Sequence, residues 1–439
     1  MSMLEALKRA FALPELRKKL LFMVGMLLAF RALAAITIPG ANPTALQSLF
    51  SGNTFLGLLN IFSGGGLSQF SIVSLGLNPY INATIMLQLM QQSIPRLREL
   101  ALEGEQGSRK INRYARWLTV PLALLQSYGV IVLFENSQVL SSTTSATTVL
   151  TIMLILLAGT LITMWLGELI TEYGIGQGIS LIIFAGIISR VPFAVTSYGS
   201  LGGGHIIQIF GMGVIALVVI ALSILMQQGQ RRIPVQSMTR VTNPRSGTAQ
   251  RANRTNLPIP VTAGGVIPII FAISFMLFPA TLGSFVQNAP GWIGELGKWF
   301  VANWSPNGGP IVTQVIYNVF YFVLVIAFTY FYAATVIFNA DDMSDQLKRS
   351  AMYVPGIRPG PPTSRYLAQV RNRVVFVGGL FLAAITVVLP LLTSVMTGVS
   401  TTSLYLGGTS ILIVVWVALD TMRQIEAQLQ MRDYQGFIR

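Results

Sequence analysis

Cysteine is absent from this 439-residue chain, histidine occurs once, and only 10% of the residues are charged. Without cysteine there is no disulfide framework, no thiol nucleophile and no Cys-ligated zinc or iron–sulfur centre. The single histidine, His205, leaves almost no material for a His-based metal site. A soluble globular domain carries about 25% charged residues, so a soluble enzyme is excluded first. The G-x-x-x-x-G-K-[ST] phosphate loop is missing, which argues against ATP hydrolysis by the chain itself. H-E-x-x-H and G-x-S-x-G are missing too. What is present is apolar: 53% of residues are hydrophobic, with a mean hydropathy of +0.65. Basic residues outnumber acidic ones 29 to 15. They are scattered between apolar runs rather than gathered in a patch. That pattern suits cytoplasmic loops facing anionic lipid and acidic partners better than a nucleic-acid-binding domain.

A spanning helix needs about 20 apolar residues. Ten such runs lie near 20–38, 75–94, 117–134, 149–167, 178–195, 206–226, 262–286, 311–338, 374–395 and 405–421. The first is long and has no small-residue cleavage pattern behind it, so it reads as a retained anchor rather than a signal peptide. An eleventh apolar stretch, 56–73, is broken by Gly64-Gly65-Gly66 into pieces too short to span, and reads as re-entrant or interfacial. With ten spans, 26 of the 29 Lys and Arg residues fall on one side. They lie in the amino tail, the second-to-third, sixth-to-seventh and eighth-to-ninth loops, and the carboxyl tail. Both termini are then cytoplasmic. The opposite loops hold only Arg190 and Lys298, and Arg31 lies within the first span.

Five spans per half make the two halves antiparallel. Gly76-Leu77-Asn78-Pro79 opens the second span of the first half, and Gly265-Val266-Ile267-Pro268 opens the second span of the second half. Paired Gly/Pro interruptions at corresponding places point to a pathway between two inverted repeats. The predicted fold is therefore an all-α polytopic membrane protein of ten transmembrane helices, arranged as two inverted five-helix halves. The boundaries are a tail at 1–19, halves at 20–200 and 201–425, and a tail at 426–439. Two basic loops, 227–261 and 339–373, are longer than connections require, and long exposed loops usually carry binding surface. Pro and Gly around Arg358 suggest a rigid tip displaying a guanidinium to carboxylate or phosphate. Ionisable residues within the spans are few. Arg31, Glu168, Glu172 and Asp420 sit where they can reach an interface or pair structurally. A coupled transporter needs carboxylates near the midplane, and a membrane enzyme needs a clustered nucleophile, base or metal site. Neither pattern is visible, so a passive conduit driven from outside leads, with the small-solute transporter as the alternative.

A set of motifs then resembles the SecY family, the channel subunits of the bacterial protein translocase. They are Asn60 to Gly65, Leu75 to Ile81, Trp165 to Glu168, Ile175 to Ser180, Gly229 to Arg232, Gly265 to Pro268, Phe278 to Thr281, Val354 to Gly360 and Gly407 to Ser410. They occur in family order over almost the whole chain. The resemblance implies an hourglass channel around a central pore, clamped by a SecE subunit and often joined by SecG. Unfolded preproteins would cross its centre. Signal peptides and membrane helices would leave through a gate between helices two and seven. The SecA ATPase or a ribosome would supply the drive, and the setting would be the bacterial inner membrane. No catalysis and no cofactor are implied.

Carried over residue by residue, the pore ring falls on Leu77, Ile81, Ile179, Ile183, Ile270 and Ile413. Branched apolar side chains there can fit loosely round any passing chain and resist water by dewetting. A short plug helix falls at 60–72, comprising Asn60, Ile61, Phe62, Ser63, Gly64, Gly65, Gly66 and Leu67, with glycines free to hinge. Lateral-gate positions are Asn82, Gln88, Gln126, Thr262 and Phe278. Their polar members would hold the gate closed by roughly 1 kcal/mol per hydrogen bond. Arg231, Arg232 and Arg358 fall where the family meets its motor and ribosome. The chain departs from many relatives at Gln227-Gln228, where Glu-Arg is usual, and at Thr262, where some carry Asn. Asn78 places a polar residue in the Gly-x-x-Pro turn, where it caps the helix or touches substrate.

Overall fold

A computed structural model describes residues 11–52, 56, 60, 63–140, 145–189, 206–237, 254–262, 264–287, 289–304, 309–397 and 408–437. Each of the ten apolar runs coincides with a helix. In the first half these are α1 (Pro14–Ala35), α3 (Asn78–Ser93), α5 (Glu105–Asn136), α6 (Ala146–Tyr173) and α7 (Gly178–Ile188). In the second half they are α8 (Ile206–Gln228), α9 (Ile267–Val286), α11 (Ile311–Tyr332), α13 (Pro361–Thr397) and α14 (Gly408–Phe437). By length and composition, four segments suffice to cross a membrane: 105–135, 146–173, 311–349 and 361–391. Three shorter apolar helices accompany them. The protein is a multi-pass membrane protein. Three further helices connect the spans: α2 (Pro43–Gly52), α4 (Pro95–Leu102) and α10 (Trp292–Asn303). The basic residues Lys8, Arg9, Arg190, Arg240, Arg245, Arg251 and Arg439, with His205 and Gly407, lie outside the described residues.

Helix α5 shows how composition sets the membrane boundary. Its 32 residues extend about 48 Å at 1.5 Å per residue, more than the ~30 Å hydrocarbon core. The surplus is its amino-terminal part, where Arg109 pairs with Glu105 at 2.7 Å in water. Trp117 follows, 73% exposed, at the depth where an indole suits the lipid interface. Beside it, Arg116 meets Glu168 of α6 at 2.7 Å. That ion pair is the structural role expected for Glu168.

The repeat is visible in the backbone. Gly76 and Gly265 adopt φ values of +53° and +64°, a region open to glycine at little cost. Each lies two residues before its helix, and Pro79 and Pro268 stand in the first turn of α3 and α9. The capping residues match too, with Leu77 at φ −91°, ψ −2° and Val266 at φ −84°, ψ −18°. Proline suits the first turn because its missing N–H has no partner there. Two halves of unlike sequence thus start their second helix with the same turn.

The halves meet along two lines. On one side α9 packs against α3 and α5; on the other α14 packs against α7. The main hydrophobic core runs across both seams and draws on helices of both halves.

The long basic loops depart from the all-α expectation. Strands β1 (Gln230–Ser237) and β2 (Arg254–Pro260) pair antiparallel, and β3 (Met352–Tyr353) adds to the other edge of β1. Ile233 and Val235 of β1 are buried while Arg231, Arg232 and Pro234 face water, the two-residue alternation of a half-buried strand. The second loop folds into helix α12 (Ala340–Arg349). The Asn339 side chain accepts from the Asp341 N–H, acidic residues occupy the first turn and Lys348 and Arg349 the last. Each end thus complements the helix dipole. Ile233, Val235, Ile259, Phe338, Leu347, Val354 and Leu367 form a separate small core. Two loops far apart in sequence are therefore one folded unit.

Candidate functional site

The six ring positions come from four helices of both halves. Leu77 caps α3 and Ile81 sits in its first turn, Ile179 and Ile183 begin α7, Ile270 begins α9, and Ile413 lies near the start of α14. Leu77, Ile81, Ile183, Ile270 and Ile413 are buried members of one apolar cluster, and Ile179 packs against it. A cavity of about 280 Å³ lies on the side of the basic loops. Ile183, Ile270 and Ile413 form part of its wall. Its lining also includes Gln177, Thr262, Asp420 and Arg423. The apolar ring positions thus border a polar-rimmed chamber.

The broken segment sits among these helices. Of the plug positions, Asn60, Ser63, Gly64, Gly66 and Leu67 are buried and Gly65 half-buried, while Ile61 and Phe62 lie outside the described residues. From Ser63 onward the segment is a succession of turns with one 3-10 turn at Leu67–Gln69, rather than an α-helix. Consecutive positive φ at Gly64 and Gly65 explains this, because right-handed helix cannot pass through them. Hydrogen bonds within the loop replace those of a helix. The Asn60 carbonyl accepts from Gly65 N at 2.9 Å. The Asn60 Oδ1 accepts from Ser68 N at 3.0 Å, and Ser63 Oγ accepts from Leu67 N at 3.0 Å. Phe70, Val73 and Leu75 then join the main core.

Small residues let this loop lie against its neighbours. A Cβ on Gly186 of α7 would stand 2.4 Å from the Gly64 Cα, and one on Gly159 of α6 would stand 2.0 Å from the Ile72 carbonyl oxygen. Arg31 of α1 donates from Nη1 to the Gly64 carbonyl at 2.8 Å. Sequence reasoning gave Arg31 no functional part. Its signal was its position, since it is a basic residue inside a span.

Asn82, Gln88, Gln126 and Phe278 lie on α3, α5 and α9, which contact one another, and Thr262 lies in the bend that leads into α9. Asn82, Gln88 and Gln126 are half-buried, Thr262 is buried and Phe278 is 52% exposed. The Oε1 atoms of Gln88 and Gln126 and the Oγ1 of Thr262 are sealed from solvent and accept or donate no hydrogen bond among the described residues. The Asn78 Oδ1 is likewise buried and unpaired, and its side chain makes no cap hydrogen bond to α3. Arg231, Arg232 and Arg358 are exposed on the folded loop unit. The Arg358 carbonyl is fixed by Thr363 Oγ1 at 2.8 Å. Just before β1, Arg423 of α14 donates to the Gln227 carbonyl at 3.1 Å, while the Gln227 side-chain amide is buried without a partner among the described residues.

Comparison with known proteins bears on the family and the fold. The SecY family model matches residues 71–422. The protein translocase subunit SecY of Streptomyces scabiei is 41% identical over 456 aligned positions, covering 100% of both chains. A solved SecY whose plug domain stabilises the closed state of its translocation channel superposes with a TM-score of 0.64 at 16% identity, covering 93% of this chain and 91% of that one. Sec61 in the canine ribosome–channel complex from the endoplasmic reticulum gives 0.58 at 15% identity, with the same coverage. These two share the fold.

Proposed function

The chain belongs to the SecY family, and from that premise we propose that it is a protein-conducting channel for unfolded preproteins. One observation carries the reading. Five of the six branched apolar ring side chains are buried in the main core that both halves share and Ile179 packs against it, with a cavity walled by three of them and residues of the 63–75 loop in the same core. Such a waist yields to any side chain without hydrogen-bonding it, and closes against water when empty. Residues 60–72 act as the plug. Helices α3 and α9 part to release signal peptides and membrane helices into lipid, with Asn82, Gln88, Gln126, Thr262 and Phe278 along the parting line. Arg231, Arg232 and Arg358 receive the SecA motor or the ribosome, whose acidic surfaces suit exposed guanidinium groups. SecE and SecG complete the membrane complex. The chain resides in the bacterial inner membrane with both termini in the cytoplasm, and performs no catalysis itself.

A cross-link tests the path, and the lack of native cysteine makes it clean. One Cys is placed at Ile413, and another in the mature part of a preprotein stalled during motor-driven translocation. A disulfide should form, and should vanish when the first Cys moves to exposed Leu217 of α8. Continued export with no cross-link at Ile413, Ile81 or Ile270 places the path elsewhere.

A further inference from the structure

Arg31 is half-buried on α1, and none of the ion pairs among the described residues includes it. Its recorded bond runs to the Gly64 carbonyl, 33 positions away in sequence. Gly64 is seated from three directions. Phe30, the neighbour of Arg31, lies beneath it, so that a Cβ on Gly64 would stand 2.7 Å from the Phe30 Cζ. Gly186 backs it from α7. The guanidinium closes the remaining side. We propose that Arg31 is a positioning residue that holds the 63–66 loop in its closed seat, and that its bond to Gly64 sets part of the threshold for opening.

The argument rests on the channel reading above and adds a specific latch to it. A guanidinium bonded to a carbonyl is a charge-assisted hydrogen bond, stronger than a neutral one. When the loop leaves, the carbonyl goes with it. Among the described residues no carboxylate pairs with Arg31 in its place, and a half-buried guanidinium that loses its acceptor is left less favourably placed. The open state therefore pays for losing this contact, and the closed state is favoured without any further device. A backbone carbonyl is a suitable partner, because the loop can carry any side chains and still be held. The bond also lies at one end of the loop only. The other end is tied by the bridge between Thr37 and Ser71, with Ile38 N to Phe70 O at 2.8 Å and Ile72 N to Ile36 O at 3.0 Å. Two separate attachments thus bracket the segment.

The test uses the full chain in its complex with the small subunits, reconstituted in planar bilayers and in vesicles. Arg31→Met keeps an unbranched apolar stem and removes the donor. It should raise resting ion conductance about tenfold and allow export of a preprotein with a weakened signal sequence. Gly186→Ala, which leaves Arg31 intact but pushes Gly64 from the opposite side, should leak as well. Loss of packing alone is separated by a second attachment. Thr37→Cys with Ser71→Cys makes a pair in a non-hydrogen-bonded position, where side chains approach closely. Oxidising that pair in the Arg31→Met channel should restore the seal, and reduction should release it. A wild-type complex that exports protein, beside an Arg31→Met channel as tight as wild type, overturns the latch and leaves the channel reading standing. A leak that oxidation does not close also overturns it. A wild-type complex that moves no preprotein overturns the channel reading, and the latch with it.

Discussion

At the residue scale, what distinguishes this molecule is a small number of polar atoms with no partner inside an apolar body. A buried acceptor without a donor costs about 1–3 kcal/mol. Gln88 and Gln126 each carry one on the helices at the proposed gate. These atoms destabilise the closed arrangement slightly, and a parting gate would let them meet water or substrate. Replacing both by Leu removes the penalty from the closed state alone. The double variant should therefore be harder to open. Export of preproteins with weak signal sequences should fall by roughly tenfold per 1.4 kcal/mol gained, while strong signal sequences are less affected. Equal export of both classes, measured by pulse-chase of processed product, would count against Gln88 and Gln126 as gate residues. The sequence named both residues through the resemblance. It could not foresee that their acceptors are unpaired, because pairing depends on which rotamers the packed helices allow.

At the element scale, helix starts matter more than helix interiors. The Gly-x-x-Pro pairs were legible as letters, and the structure adds why glycine is needed. Gly265 has φ +64°, and a Cβ there would stand 2.4 Å from the Trp416 ring of α14. A non-glycine residue in that left-handed region costs roughly 1–2 kcal/mol before any clash. Gly213, inside α8, meets nothing within 4 Å, and alanine there improves helix propensity by about 1 kcal/mol. Gly265→Ala should thus lower the thermal midpoint in detergent, while Gly213→Ala should leave it unchanged or raise it. Equal effects in a fluorescence melt would refute the claim that Gly265 is fixed by its contact with Trp416. The same scale shows what stayed hidden. Residues 232–236 run Arg, Ile, Pro, Val and Gln in the alternation of a strand, whereas charge and length alone mark the loop as a basic binding surface. Pairing across about a hundred residues, from β1 to β3, leaves no local trace that could have revealed the shared core. The loop at 63–75 was legible as a broken apolar stretch because glycine triplets interrupt helices locally. Its seat was not, because Arg31, Gly159 and Gly186 approach it only after the helices pack.

At the scale of the whole molecule, the fold follows from counting. Charge asymmetry, ten helices and two inverted halves stand or fall together, because an odd error in the count exchanges the sides of every later loop. The chain offers a direct check, since single cysteines can be introduced into a background with none. Arg109 lies on the projecting part of α5 and Asp345 on α12, and both are exposed. Between them run α5, α6, α7, α8, α9 and α11, an even number of crossings. Lys298 is exposed on α10, one crossing before Asp345. Single Arg109→Cys, Asp345→Cys and Lys298→Cys chains should react with a membrane-impermeant maleimide from defined sides. The first two should label only in inverted vesicles, and the third only in intact spheroplasts. The Arg109–Glu105 pair is exposed, so its loss costs under about 1 kcal/mol and leaves the fold unchanged. Labelling of Arg109→Cys and Asp345→Cys from opposite sides would mean that one intervening helix fails to cross. Where that helix is α5, α6, α7 or α8, α3 and α9 would run parallel, and the matched glycine turns would have no symmetry to serve. Labelling of both from the cytoplasmic side, with Lys298→Cys opposite, puts the sheet, α12 and the exposed arginines where a cytoplasmic motor can reach them. It also puts α10 and its exposed tryptophans at the outer interface, where indoles are favoured.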